Sequence, residues 1–171
     1  MEECEIRQAL MANAEELAEK LIHKLKDSSI TLALAESCTA GLVSGLLAKI
    51  SGASAVLWGS FVCYTPEAKV SMLGLDLQKI TEQCLVSRET ACQMAEGALK
   101  KSGAGLAAAV TGLAGPEGDG SGVPVGTVWV AAAGKGRTAA QEYHFEGGRN
   151  TVRVHAAIAV LETVLQMLEN L

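Results

Sequence analysis

The chain has 171 residues, of which 49 % are hydrophobic and 4 % aromatic, and its formal net charge is −5. This is chain enough for one domain with a buried core, so a disordered segment and a two-domain layout are both excluded as expectations. Acidic residues outnumber basic ones, 19 to 14, with no basic stripe, which argues against a nucleic-acid partner because phosphate neutralisation needs clustered Lys and Arg.

Small residues are in excess, with 27 Ala and 18 Gly. A core built from Ala brings backbone layers close together, which suits stacked helices and sheet. No apolar run reaches the roughly 18 to 20 residues of a membrane span, so no membrane partner is expected. The start of the chain, Met1-Glu2-Glu3-Cys4-Glu5, is acidic and unlike a secretory signal or a transit peptide. The five Cys (Cys4, Cys38, Cys63, Cys84, Cys92) include no CxxC pair and read as reduced thiols in a cytoplasm. The three His, at 23, 144 and 155, lie far apart, so neither a metal cluster nor a His-based triad is expected.

The chain begins with a helix over 5–26, where Ile6, Leu10, Leu17, Leu21 and Leu25 fall at helical spacing. Residues 30–35 form a short apolar run that reads as a buried strand. Glu36 to Gly41 ends that strand and opens a helix running through Ile50. A second strand covers 56–64. Thr65-Pro66-Glu67 is a helix start, with Thr65 as N-cap and Pro66 at the first helical position. A short helix follows near 77–84, and Ser87 caps a longer one over 88–101 that Gly103 ends. Residues 105–110 form a strand of small residues, and 112–122 a Gly-rich loop. Residues 125–133 and 138–145 pair as a hairpin across 134–137. Gly147-Gly148-Arg149-Asn150 leads into a last helix with Val152, Ala156, Ala159, Val160, Val164 and Met167 on one face. Early alternation of strand and helix, then a hairpin, predicts a single three-layer α/β/α sandwich over 1–171 with a mixed, mostly parallel sheet.

Ligands of such sheets bind beyond the strand ends, and three segments qualify. In Ala35-Glu36-Ser37-Cys38-Thr39-Ala40-Gly41 a strand turns into a helix, whose N-terminus favours an anion or a developing oxyanion. The same residues serve equally as a plain helix cap. Tyr64 and Lys69 flank a helix start and can point into one cavity, where a desolvated Lys acts as general base. A solvated surface Lys is the simpler reading from the residues alone. Thr111-Gly112-Leu113-Ala114-Gly115 lets a ligand approach the backbone, or is a surface loop. Neither GxGxxG nor GxxxxGK[ST] is present, so Rossmann and P-loop readings fail. Arg149 suits a phosphate, or is an ordinary exposed Arg.

Together these motifs carry a resemblance. Ala-Glu-Ser-Cys-Thr-Ala-Gly (35–41), Gly-Ala-Ser-Ala (52–55), Tyr-Thr-Pro-Glu-Ala-Lys (64–69), Val-Thr-Gly-Leu-Ala-Gly-Pro (110–116), Pro-Val-Gly-Thr-Val-Trp (124–129) and Gly-Gly-Arg-Asn-Thr-Val-Arg (147–153) occur in this order. Over about residues 6–170 the chain resembles the CinA carboxy-terminal domain family. Stand-alone members of that family hydrolyse the carboxamide of nicotinamide mononucleotide to nicotinic acid mononucleotide and ammonia. The additional N-terminal domain of longer CinA proteins is not expected here. The resemblance implies Ser37 as nucleophile with Lys69 and Tyr64 as activating partners. It implies Ser54, Thr111 and Arg149 near the nucleotide, with Arg149 on the phosphate. Backbone N–H groups near Thr39, Ala40 and Gly41, or near Gly112, become the oxyanion donors. It implies a small-molecule nucleotide substrate, no metal or organic cofactor, and a homo-oligomer, dimeric or higher.

Three positions depart from the family pattern. Ala40 stands where a second Gly is usual, Pro66 replaces an Asn, and Val123 replaces a common Lys. These departures motivate two alternatives, a non-catalytic nucleotide-binding module and an amidohydrolase for another pyridine nucleotide.

Overall fold

In the computed structural model, residues 3–82 and 84–170 are described. Helix α1 (Glu3–Ser28) leads into β1 (Leu32–Glu36), then α2 (Leu42–Ala48) and β2 (Leu57–Val62). A single α-turn, α3 (Pro66–Ala68), widens into a π-helical turn over Lys69–Leu73. After α4 (Leu77–Glu82) and α5 (Arg88–Ser102) come β3 (Leu106–Gly112), β4 (Thr127–Gly134), β5 (Arg137–His144) and α6 (Arg149–Glu169).

Local chemistry explains most of these boundaries. The Thr65 hydroxyl accepts from the Ala68 N–H, and the Ser87 hydroxyl accepts from the Thr90 N–H, so both expected N-caps are made. Gly103 closes α5 in the left-handed conformation at φ 67°. The hairpin turns on Lys135 and Gly136, both at positive φ, which is the two-residue turn whose twist matches the flanking strands. Helix α2 departs from the sequence reading. It begins at Leu42, after a separate turn over 37–41, and ends at Ala48, two residues short of the expected Ile50.

The strands are ordered β2-β1-β3-β4-β5. Pairs β1/β2 and β1/β3 are parallel, while β3/β4 and β4/β5 are antiparallel, so β4 alone runs against the other four. The two faces of the sheet are built differently. Leu32, Leu34, Leu106, Val110, Val128 and Val130 meet α1, α2 and α6 on one side. On the other, Ala33, Ala35, Ala107, Ala109, Ala131 and Ala133 meet α5, which offers Ala91, Met94, Ala95 and Ala98. This is where much of the Ala excess goes, and it lets α5 lie close to the sheet. Close approach is also visible at Gly97 of α5, where a Cβ would sit 2.5 Å from the Leu73 carbonyl oxygen.

Topology then places the site. Strand β1 is followed by its neighbour on one side, β2, and the chain returns on β1's other side as β3. The C-terminal end of β1 is therefore a switch point, where open α/β sheets bind ligands. Register puts Glu36 opposite both Val62 and Val110, so the residues that follow β1, β2 and β3 emerge together. Thr127 of β4 pairs with His144 of β5 at that same edge, which delivers the N-terminus of α6 there too.

Candidate active site

Ser37 is the first residue beyond β1, and its N–H is tied to the Val110 carbonyl at 3.0 Å. Lys69 comes from the π-helical turn and is 2 % exposed. Its Nζ lies 2.9 Å from Ser37 Oγ and 3.3 Å from the Cys63 carbonyl oxygen. Burial lowers the Lys69 pKa below its ordinary value, because removing water penalises the ammonium. A buried Lys whose neutral form is favoured, in contact with a Ser hydroxyl, has the geometry of a base and its nucleophile. π-Helical turns recur at functional positions, and this one buries Lys69 together with Leu73.

A cavity of about 250 Å³ opens on this pair. Tyr64, Thr111, Gly112 and Arg149 line it as well, so six of the residues singled out in the sequence meet in one place. Arg149 Nη1 donates to the Gly115 carbonyl at 2.7 Å, and its Nη2 donates to the Tyr64 hydroxyl. Tyr64 is 51 % exposed and stands at the rim. Of the two expected partners of Ser37, Lys69 is the one hydrogen-bonded to it, whereas Tyr64 is engaged with Arg149. The Thr111 hydroxyl donates to the Leu85 carbonyl at 3.0 Å.

Four expected substrate contacts lie elsewhere. Thr39 is fully buried and gives its hydroxyl proton to Glu36 at 2.8 Å. Ala40 and Gly41 line a separate groove with Met11, Gly45 and Lys49. The turn carries them away from Ser37, with both at positive φ, 50° and 89°. Ser54 precedes β2, at the opposite edge of the sheet, and lines a third cavity with Lys49 and Leu57. The expectation that α2 presents a free N-terminus to an anion also fails. The buried Glu36 carboxylate takes those donors, accepting from Val43 N–H at 3.0 Å and Ser44 N–H at 2.9 Å. Ser60 Oγ adds a bond of 3.0 Å to the same carboxylate.

Glu36 and Arg153 are the residues that sequence reasoning left without a role. Glu36 holds the Ser37 turn from inside. Arg153 holds it from outside, donating Nε to the Cys38 carbonyl at 3.1 Å and Nη2 to the Thr39 carbonyl at 2.8 Å. The available signal for Arg153 was its position one turn after Arg149, between the core residues Val152 and Val154. Asp119, Leu85, Val86, Leu113 and Ala114 also line the cavity. Cys38 lines it too, but burial pushes its thiol up to about 12, and that of Cys63 to about 11. Both stay protonated at neutral pH, which removes them as competing nucleophiles. Among the described residues no group of His, Cys, Asp and Glu is arranged to hold a metal. One helix, α6, is long and apolar enough to cross a membrane, with 67 % of its most apolar stretch buried inside the domain.

A family model for the CinA C-terminal domain matches residues 14–168. This chain belongs to that family. A CinA-like protein from Geotalea daltonii is 44 % identical over 136 residues, 80 % of this chain and 33 % of its own length. One from Citrifermentans bemidjiense is 39 % identical over 92 % of this chain and 39 % of its own. The chain thus spans about a third of the length of these curated CinA relatives. Among solved structures, competence/damage inducible protein CihA from Agrobacterium tumefaciens matches with a TM-score of 0.87 and 40 % identity, covering 90 % of this chain and 94 % of its own. A CinA superfamily protein from Klebsiella pneumoniae gives a TM-score of 0.89 at 29 % identity, over 92 % and 99 % of the two chains. The CinA α/β fold is therefore shared nearly end to end.

Proposed function

We propose that this CinA domain is an amidohydrolase that converts nicotinamide mononucleotide and water to nicotinic acid mononucleotide and ammonia. The observation that carries the reading is the buried Lys69 amine 2.9 Å from Ser37 Oγ, its pKa lowered by desolvation. Neutral Lys69 takes the Ser37 proton as Oγ attacks the carboxamide carbon, which the pyridinium ring makes electron-poor. The oxyanion forms beside the Cys38 N–H, the first donor after the nucleophile. The C–N bond breaks as the Lys69 ammonium protonates the leaving nitrogen, and ammonia departs. Water then attacks the acyl-Ser37 ester, gives a proton to Lys69, and Ser37 recovers its own proton from Lys69. Arg149, at the cavity mouth, is the residue for the nucleotide phosphate, and Tyr64 orients it through their hydrogen bond.

The test is ammonia release from nicotinamide mononucleotide by the wild-type chain, compared with Ser37→Ala and Lys69→Ala. Release that survives in both variants, or none from wild type at high enzyme concentration, overturns the reading.

A further inference from the structure

The cavity contains one charged group that the deamidation steps leave unused. Asp119 sits in its wall, on the Gly-rich loop between β3 and β4. Its Oδ1 accepts from the Ser121 N–H at 3.0 Å and from the Ser121 hydroxyl. Ser121 Oγ in turn accepts from the Val123 N–H at 3.3 Å. These bonds tether the carboxylate on an otherwise Gly-rich segment. They also hold its pKa below the ordinary Asp value, so it is ionised at neutral pH. Asp119 is the only acidic residue among those lining the cavity, and its companions Leu85, Val86, Leu113 and Ala114 are apolar.

We propose that Asp119 is a specificity-determining residue whose carboxylate favours a ligand bearing a cationic ring and disfavours the same ligand once it has gained a carboxylate. The inference rests on the deamidase reading and deepens it. Phosphate is common to substrate and product, so Arg149 cannot tell them apart. Hydrolysis leaves the pyridinium charge in place and turns the neutral carboxamide into a carboxylate, adding one negative charge. A volume of about 250 Å³ is a space on the order of 8 Å across, no more than the Debye length at physiological ionic strength. A charge in the wall therefore acts on a ligand anywhere inside. The carboxylate attracts the ring's positive charge in both nucleotides, but in the product the new carboxylate offsets that attraction, so the substrate is favoured over the product and release is aided.

The experiment uses the Ser37→Ala chain, so that both nucleotides bind without turnover. Calorimetric titrations with nicotinamide mononucleotide and with nicotinic acid mononucleotide are run with and without Asp119→Asn, at low and high ionic strength. Removing the charge reduces the preference for substrate over product about threefold, as suits an exposed charge, and the effect shrinks in high salt. Glu117→Gln removes the same charge from the same loop outside the cavity and leaves the affinity ratio unchanged. An unchanged ratio in Asp119→Asn, a ratio that moves further in favour of the substrate, or a ratio change indifferent to salt overturns the inference. Ammonia release by wild type decides the deamidase reading separately. If release is absent but both nucleotides bind, the ratio still decides the role of Asp119. If neither binds, both proposals fall.

Discussion

Replacing Glu36 by Gln changes one carboxylate oxygen to an amide nitrogen and almost nothing in shape. Each oxygen now serves one backbone N–H and one hydroxyl: Oε1 takes Ser44 N–H and Ser60 Oγ, and Oε2 takes Val43 N–H and Thr39 Oγ1. A hydroxyl can rotate and accept from the new amide. A backbone N–H cannot. Whichever way the Gln side chain is turned, one N–H of α2's first turn faces an NH₂ group and is left unpaired. A buried unpaired N–H costs about 1–3 kcal/mol, and losing the negative charge at the helix N-terminus adds about 0.3–1 kcal/mol. The expected loss is therefore about 1.3–4 kcal/mol, a large share of the roughly 5–15 kcal/mol typical of a domain. For a chain of this length it lowers Tm by about 3–15 °C. Urea and thermal unfolding followed by far-ultraviolet circular dichroism measure it. A variant within about 0.5 kcal/mol of wild type, the range of an ordinary surface substitution, would refute the account of Glu36 as the cap of α2.

Lys69→Ala is expected to lower kcat about 10²- to 10⁴-fold. In wild type, kcat/KM rises with pH through the lowered Lys69 pKa, because the neutral amine is the active form; a flat profile would count against Lys69 as base. Stability follows the same group. Between that lowered pKa and the unfolded value of about 10.4, the unfolded chain holds a proton that the native domain does not. Lys69 thus makes stability rise with pH across this window, and Lys69→Met chains lack that rise in pH-dependent urea titrations. Ala40→Gly relieves a left-handed backbone at φ 50° and is expected to stabilise by about 0.5–1 kcal/mol in urea unfolding, net of the greater freedom of Gly in the unfolded chain. Iodoacetamide at pH 8 modifies exposed Cys4 while sparing Cys38 and Cys63, whose pKa values stand at about 12 and about 11. Intact-protein and peptide mass spectra locate the adducts, and early modification of Cys38 would contradict its burial.

Legibility in the sequence was uneven, for physical reasons. The caps at Thr65, Ser87 and Gly103 act over three or four residues, so local rules find them. The same holds for the hairpin turn, where Lys135-Gly136 separates an apolar strand from a more polar one. The cap of α2 is different, because Glu36 belongs to the preceding strand and reaches helix N–H groups seven and eight residues ahead. No short-range pattern announces that. Lys69 looked like a surface residue because it is buried against parts of the chain distant in sequence, among them Ser37, 32 positions away. Arg153 likewise acts at a distance of more than a hundred residues, on Cys38 and Thr39. Ser54, which the family resemblance implied near the nucleotide, lines a different cavity, with β2 between it and the switch point.

The alanine-faced side of the sheet bears on how firmly Lys69 and Ser37 are held together. Alanine has no χ1 rotamer, so on this face fewer side chains can take up a displacement by rearranging, Met94, Leu73 and Ile80 being among those that can. Ala33 and Ala35 lie beneath Ser37 on β1, and they share a packed layer with Leu73, at the end of the turn that carries Lys69. The strand that carries the nucleophile and the turn that carries the base are thus joined by a close-packed layer that lies outside the cavity and apart from the glycine-rich loop.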